Sequence, residues 1–175
     1  MRLADQDAAI VAAQLGRSPR GAVAVAWRCP CGKPAVVATA PRLPDGTPFP
    51  TTYYLTCPKL VRACSTLEGG GLMAQMNQRL AADEALASQY AASHQSYLAD
   101  RAALAARLGL DVPEIAGVSA GGMPQRVKCL HALVAQALAK GAGVNPFGDE
   151  ALAAIGEVWR EPCLDAPREQ SDKAA

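Results

Sequence analysis

Cys129-Leu130-His131 sets a thiol and an imidazole two residues apart. Cysteine nucleophiles need that pair, because the thiolate attacks and a neighbouring base or imidazolium controls its proton. Within a continuous α-helix, two positions so spaced diverge by about 200° and cannot face one point. They converge only if the helix begins late and Cys129 lies in the turn before it. Cys57 and His94 are the other thiol and imidazole such a site can draw on. If the chain is an enzyme, its catalytic candidates are therefore Cys57, Cys129, His131 and His94. The competing reading is burial without chemistry, which Leu130 and Leu133 beside the pair favour.

A second constellation concerns metal. Cys29-Pro30-Cys31-Gly32 is half a zinc knuckle, one residue short of the Cys-x-x-Cys spacing that lets the backbone turn around the ion. Zinc takes four thiolate or imidazole ligands from segments distant in sequence, so Cys57, Cys129 and His131, or alternatively Cys64, can complete a set begun by Cys29 and Cys31. Buried thiols without metal are the alternative, since lone cysteines are among the residues most often buried.

A third concerns anions. Gly121-Gly122-Met123-Pro124-Gln125-Arg126-Val127-Lys128 joins a glycine turn, an expected helix start and two cations. Free N–H groups and the positive end of a helix dipole attract anions, and guanidinium groups grip phosphate or carboxylate bidentately. Gly121, Gly122, Arg126 and Lys128, with Arg101 from an earlier helix, form the anion-binding candidates. No full phosphate-loop pattern is present. The plain alternative is a loop whose glycines only turn the chain.

The elements that must position these residues follow from periodicity. Leu3 to Leu15 has helical apolar spacing ended by Gly16. Three short segments, Ala22 to Cys29, Ala35 to Ala40 and Thr51 to Thr56, are rich in Val, Thr, Tyr or Trp and separated by Pro/Gly stretches, which predicts an antiparallel meander. Lys59 to Leu67 reads as a helix closed by Gly69-Gly70-Gly71, and Leu72 to Leu108, free of Gly and Pro, as one long helix or two. In that segment Met76, Leu80, Asp83, Ala87, Tyr90, His94, Tyr97, Arg101, Leu104 and Leu108 share one stripe. If the stripe faces the core, His94 and Arg101 need buried partners; the alternative is a helix protruding into solvent. Pro124 to Lys140 is expected to be a helix, and Asp149 the N-cap of a last helix reaching Trp159.

The 175 residues carry 17 Lys+Arg against 16 Asp+Glu, a net charge of +1 that provides no broad field for nucleic acid. Thirty-seven alanines inflate the 50% hydrophobic fraction, leaving a modest core of larger apolar residues. No stretch approaches a membrane span, and Met1 to Gly16 lacks a signal-peptide pattern, so neither membrane insertion nor export is expected and a cytoplasmic location is. Six cysteines in a reducing cytosol read as thiols or metal ligands. The fold expected is α+β: a small antiparallel meander over about 22–57 packed against a long helix and a C-terminal helical part. The organisation expected is an N-terminal helix and linker at 1–20, a single domain at 21–160, and a flexible tail at 161–175.

Several ordered motifs carry a family resemblance: Pro48-Phe49-Pro50-Thr51 through Thr56-Cys57-Pro58, Leu67-Glu68, His94-Gln95-Ser96-Tyr97 with Arg101, Val127-Lys128-Cys129-Leu130-His131, and Asn145-Pro146-Phe147-Gly148. Together, over about residues 20 to 155, they resemble the bacterial DUF501 family, a family of unknown function, with Cys29 and Cys31 similar to the version in high-GC Gram-positive members. The resemblance implies that Cys57, His94, Arg101, Lys128, Cys129 and His131 are family positions, and it brings no catalytic assignment. Many members carry a further His where this chain has Leu133. Members are typically encoded near enolase, a DivIC-type septum protein and an exopolyphosphatase-like phosphatase. That neighbourhood implies a cytoplasmic accessory protein binding enolase or the DivIC-type division machinery, with zinc as an optional structural ion. The alternative is a Cys/His-site enzyme acting on a phosphorylated or carboxylated small molecule.

Overall fold

The computed structural model describes residues 2–163. Its architecture is α+β, as the sequence pattern implies: a three-stranded antiparallel sheet of order β1-β2-β3 and six α-helices among the described residues. Helix α1 (Asp5–Leu15) begins on two acids, Asp5 and Asp7, that complement its dipole, and ends on Gly16 at φ 67°. Strands β1 (Ala22–Arg28) and β2 (Pro34–Thr39) form a hairpin whose turn is the Cys-Pro-Cys-Gly segment. That turn is closed by Gly32 N–H donating to Cys29 O at 2.8 Å and Cys29 N–H to Lys33 O at 3.0 Å. Strand β3 (Tyr53–Leu55) pairs with β2, which is central and mostly buried.

Helix α2 (Pro58–Gly69) starts with proline at its first position, where the missing N–H costs nothing. The Gly-free stretch beyond it is two helices, α3 (Leu72–Ala82) and α4 (Glu84–Leu108). The break is at Asp83, whose extended backbone and side chain, accepting from Leu86 N–H at 3.0 Å, cap α4. The long stripe faces the core: Met76, Tyr90, His94, Tyr97, Arg101 and Leu104 are all buried. Its polar members have partners. Arg101 donates to the carbonyls of Ile115 at 2.6 Å, Pro50 at 3.4 Å and Val118. His94 Nδ1 lies 2.8 Å from Ser119 Oγ, which itself donates to Met123 O, so the imidazole is the donor to the hydroxyl. Tyr97 Oη accepts the N–H of Thr52 at 2.7 Å and of Tyr53 at 3.3 Å, tying α4 to the entry of β3.

Helix α5 (Leu130–Lys140) occupies the centre, with Leu130, Leu133, Val134 and Gln136 at 0% exposure. It begins six residues later than the expected helix from Pro124. Asn77 of α3 explains the difference: its side chain donates to Val127 O and accepts Val127 N–H, both at 2.8 Å, so both backbone groups of Val127 are committed outside any helix. Helix α6 (Pro146–Ile155) also departs from expectation. Its N-cap is Asn145, which accepts Gly148 N–H at 2.9 Å, whereas Asp149 accepts from Gly143 N–H and caps nothing. The helix stops at Gly156, short of Trp159. Gly148 lies so close to α5 that a Cβ there would meet Leu133 O at 2.4 Å, which requires glycine at that contact.

No helix among the described residues is long and apolar enough to cross a membrane. Of the tail expected at 161–175, residues 164–175 lie outside the described residues, and Cys163 is buried.

Candidate functional site

The late start of α5 decides the chemistry at Cys129 and His131. Cys129 is the N-cap residue with extended backbone (φ −151°, ψ 111°), so it stands outside the helical spiral and its side chain can share a point with His131 in the first turn. Cys129 Sγ lies 3.8 Å from His131 Nδ1. The third member comes from α2. Glu68 Oε1 accepts Leu130 N–H at 2.7 Å, satisfying the first free N–H of α5, and lies 3.1 Å from His131 Nδ1. A carboxylate in the last turn of α2 opposes that helix's own dipole; its partners on α5 offset this cost.

The ring's protonation follows from its neighbours. His131 Nε2 is 3.1 Å from Val61 O, a group that can only accept, and Nδ1 faces a carboxylate and a sulfur. Both nitrogens therefore carry protons and the ring is an imidazolium. Its pKa is pushed up to about 9, first by the bond to Cys129 and against burial, with the Glu68 charge adding to the rise. The same bond holds the Cys129 thiol below its ordinary value, again against burial, with the Ala132 N–H in the first turn of α5 favouring the thiolate and the Glu68 charge opposing it. The site is thus a thiol of lowered pKa paired with an imidazolium and steadied by a carboxylate, at the positive end of a helix.

The pair opens onto a cleft of about 600 Å³ lined by Tyr53, Tyr54, Val61, Ser119, Lys128 and Ala132 among others. Cys129 and His131 are both half-buried, and Lys128 is exposed at the rim. This arrangement gives a nucleophile with its proton donor adjacent and one cation within the same cleft.

The other sequence candidates fall elsewhere. Cys57 is fully buried as the N-cap of α2, away from the pair, and Cys64 is buried one turn before Glu68, its thiol pushed up to about 12 by burial and then by the Glu68 charge. His94 is held below its usual value by burial and by Arg101, so it is a neutral core group bonded to Ser119. Arg101 has its guanidinium bonded to backbone carbonyls. Gly121 and Gly122, at φ 70° and 93°, turn the chain against Leu133 and Arg126. The N–H groups of Arg126 and Lys128 donate back to Gly122 O and Gly121 O, so this loop has closed on itself and starts no helix. Of the five anion candidates, Lys128 and Gly121 line the thiolate cleft, and Arg126 is exposed outside its lining.

The metal candidates divide into two groups. Cys29 and Cys31 meet Cys163, and Cys129 and His131 meet Glu68. Glu68 and Cys163 were the residues that sequence reasoning did not assign. The signal for Glu68 was an acid in the last turn before Gly69-Gly70-Gly71, a place where a helix disfavours one; for Cys163 it was a further thiol available to a Cys-x-Cys turn.

No curated protein and no solved structure matches this chain. A family model does, over residues 25–153, and that span takes in β1 through most of α6 together with Glu68, Cys129 and His131. The chain therefore belongs to the DUF501 family, described as a protein of unknown function.

Proposed function

We propose that the protein is a cysteine-dependent enzyme acting on a small molecule that carries a carboxylate or phosphate group. The observation that carries this reading is the His131 ring, whose two nitrogens both face acceptors while Cys129 lies within contact of one of them. A buried thiol kept only for packing has no use for an adjacent imidazolium, and desolvating that charge is costly without a compensating role. In the step supported by this geometry, Cys129 Sγ forms a bond to an electrophilic carbon. The bond from that carbon to its oxygen or nitrogen leaving atom breaks, and the proton on His131 Nδ1 passes to that atom. Glu68 touches the ring and not the cleft's occupant, so it is a positioning residue. Lys128 supplies the charge for the anionic group.

The accessory-protein reading, with enolase or a DivIC-type septum protein as partner, has the family's gene neighbourhood as its support. It calls for an apolar docking face. Among the described residues the large hydrophobic side chain left exposed is Val118, at 50%. The enzyme reading is therefore preferred.

Alkylation of the native protein by iodoacetamide, followed by peptide mass spectrometry across pH, tests it. Cys129 should be modified first near neutral pH, and inorganic phosphate or succinate should protect it in the wild type and less in Lys128→Ala. Slow labelling at Cys129 that rises only at the pH of an ordinary thiol would overturn the reading.

A further inference from the structure

The second sulfur cluster lies apart from the thiolate cleft. Cys29 and Cys31 project from the β1–β2 turn and Cys163 arrives from beyond α6. Their Sγ atoms form a triangle with edges of 3.3, 3.6 and 3.6 Å. Four sulfurs at about 2.3 Å from a tetrahedral zinc stand about 3.8 Å from one another. The observed triangle is slightly tighter, as three sulfurs would be before an ion separates them.

Several independent contacts bring the chain back to this point. Trp159 packs on Trp27 of β1 with ring centroids 5.7 Å apart, and Lys59 Nζ donates to Glu161 O at 2.7 Å. The thiol positions are therefore fixed by surrounding structure. Main-chain N–H groups also point at the sulfurs: those of Cys31 and Lys33 toward Cys29, and that of Cys163 toward Cys31. Such bonds favour the charged form of the acceptor and orient a metal ligand.

We propose that Cys29, Cys31 and Cys163 bind a zinc ion as three thiolates, fastening the segment after α6 to the β1–β2 turn. Each of the three sulfurs has the other two as hydrogen-bond partners, whereas Cys129 has the His131 ring. Three sulfurs held within 3.6 Å of one another are the donor set a divalent thiophilic ion takes, and they lose their protons as they ligate it. The fourth position is left to a water; Cys57, though buried, is not a member of the cluster.

The test is elemental analysis of reduced, full-length protein isolated without chelator, with Zn²⁺ then Co²⁺ titrated into protein stripped of metal. About one zinc per chain is expected in the wild type, falling severalfold in Cys29→Ser, Cys31→Ser and Cys163→Ser and unchanged in Cys64→Ser and Cys129→Ser. Co²⁺ should give the intense thiolate-to-metal absorption in the wild type and lose most of it in each of the three variants. Because Cys163 lies beyond the last helix, Cys163→Ser can be checked for an unchanged helical circular dichroism, which separates lost binding from lost folding. Wild-type protein that takes up neither ion, an isolated Cys29–Cys31 disulfide that persists after reductant is removed in the presence of zinc, or zinc lost in Cys129→Ser and retained in Cys163→Ser would each overturn the proposal.

Discussion

The two sulfur clusters contain the same reactive group and differ in what surrounds it. At Cys129 the protein provides its own cation: His131 is 3.8 Å away, protonated by virtue of Val61 O on one side and Glu68 on the other. At Cys29, Cys31 and Cys163 the nearest partners of each sulfur are the other sulfurs and main-chain N–H groups. The hydrogen bond with His131, helped by the Ala132 N–H, outweighs the desolvation that opposes ionisation in this half-buried site, so the first thiol is depressed. Where the neighbours are like groups, the cluster is a set of soft donors that an external thiophilic cation can bridge. At Cys64 burial acts first and the Glu68 charge adds to it, and both drive the thiol upward. A thiol's role in this fold is therefore set by whether a built-in positive charge stands beside it.

The largest expected effect removes that charge. His131→Asn keeps a donor of similar size but no cation, and the Cys129 thiol should return toward its ordinary value or above, since burial and the Glu68 charge are then opposed only by the Ala132 N–H. Each unit of pKa changes the thiolate fraction tenfold, so alkylation of Cys129 at neutral pH should slow by roughly tenfold or more, while zinc content at the other cluster stays the same. A variant whose Cys129 labels as fast as the wild type would erase the distinction between the clusters.

How far this contrast was legible beforehand depended on the range of the interactions involved. The meander, the α2 helix and the buried stripe of α4 follow from local spacing, and the structure has them within a few residues of the expected bounds. That Cys129 and His131 converge only if the helix starts late was also readable from the 100° advance per residue. The start itself was not, because it depends on Asn77, fifty residues earlier in the chain, bonding both backbone groups of Val127. Glu68 and Cys163 escaped for the same reason. Each acts on a partner more than sixty residues away, and neither has a local pattern that names the partner. Arg101 is the converse case: a cation on the core stripe suggested anion binding, and its bonds to carbonyls account for its burial instead.

A smaller effect is expected from Glu68→Gln, which sharpens the comparison by leaving the cation's site intact but weakening its support. Loss of charge at the α5 cap and at His131 should cost about 1–2 kcal/mol near neutral pH. The pH dependence has a definite sign. His131 is raised above its unfolded value, so the stability it contributes is full below about 6.5 and is lost as pH rises through about 9. Cys129 is depressed, so its share is lost as pH falls through its lowered value. The stability difference between wild type and Glu68→Gln, measured by urea denaturation, should accordingly narrow as pH rises through 9. A difference that stays constant across that range would mean Glu68 acts only as a helix cap and leaves the imidazolium to other partners.

The smallest effect is expected at Cys64, where burial and the Glu68 charge both keep the thiol protonated. Its sulfur is fully buried beside Leu60 in the main core cluster, with its thiol pushed up to about 12, so at neutral pH it is an apolar group in function. Replacing it by alanine removes one sulfur's packing and should cost about 1 kcal/mol, with the Cys129 labelling profile and the zinc content both unchanged. The nearby Glu68 charge disfavours ionisation of Cys64, so removing this thiol leaves the Cys129–His131 and Glu68–His131 contacts in place. If Cys64→Ala nevertheless shifts the pH at which Cys129 is labelled, then the thiols on α2 and α5 titrate together, and the separation of this fold's cysteines into one imidazolium-paired thiol, one metal-binding trio and inert core thiols would have to be redrawn around a single coupled group.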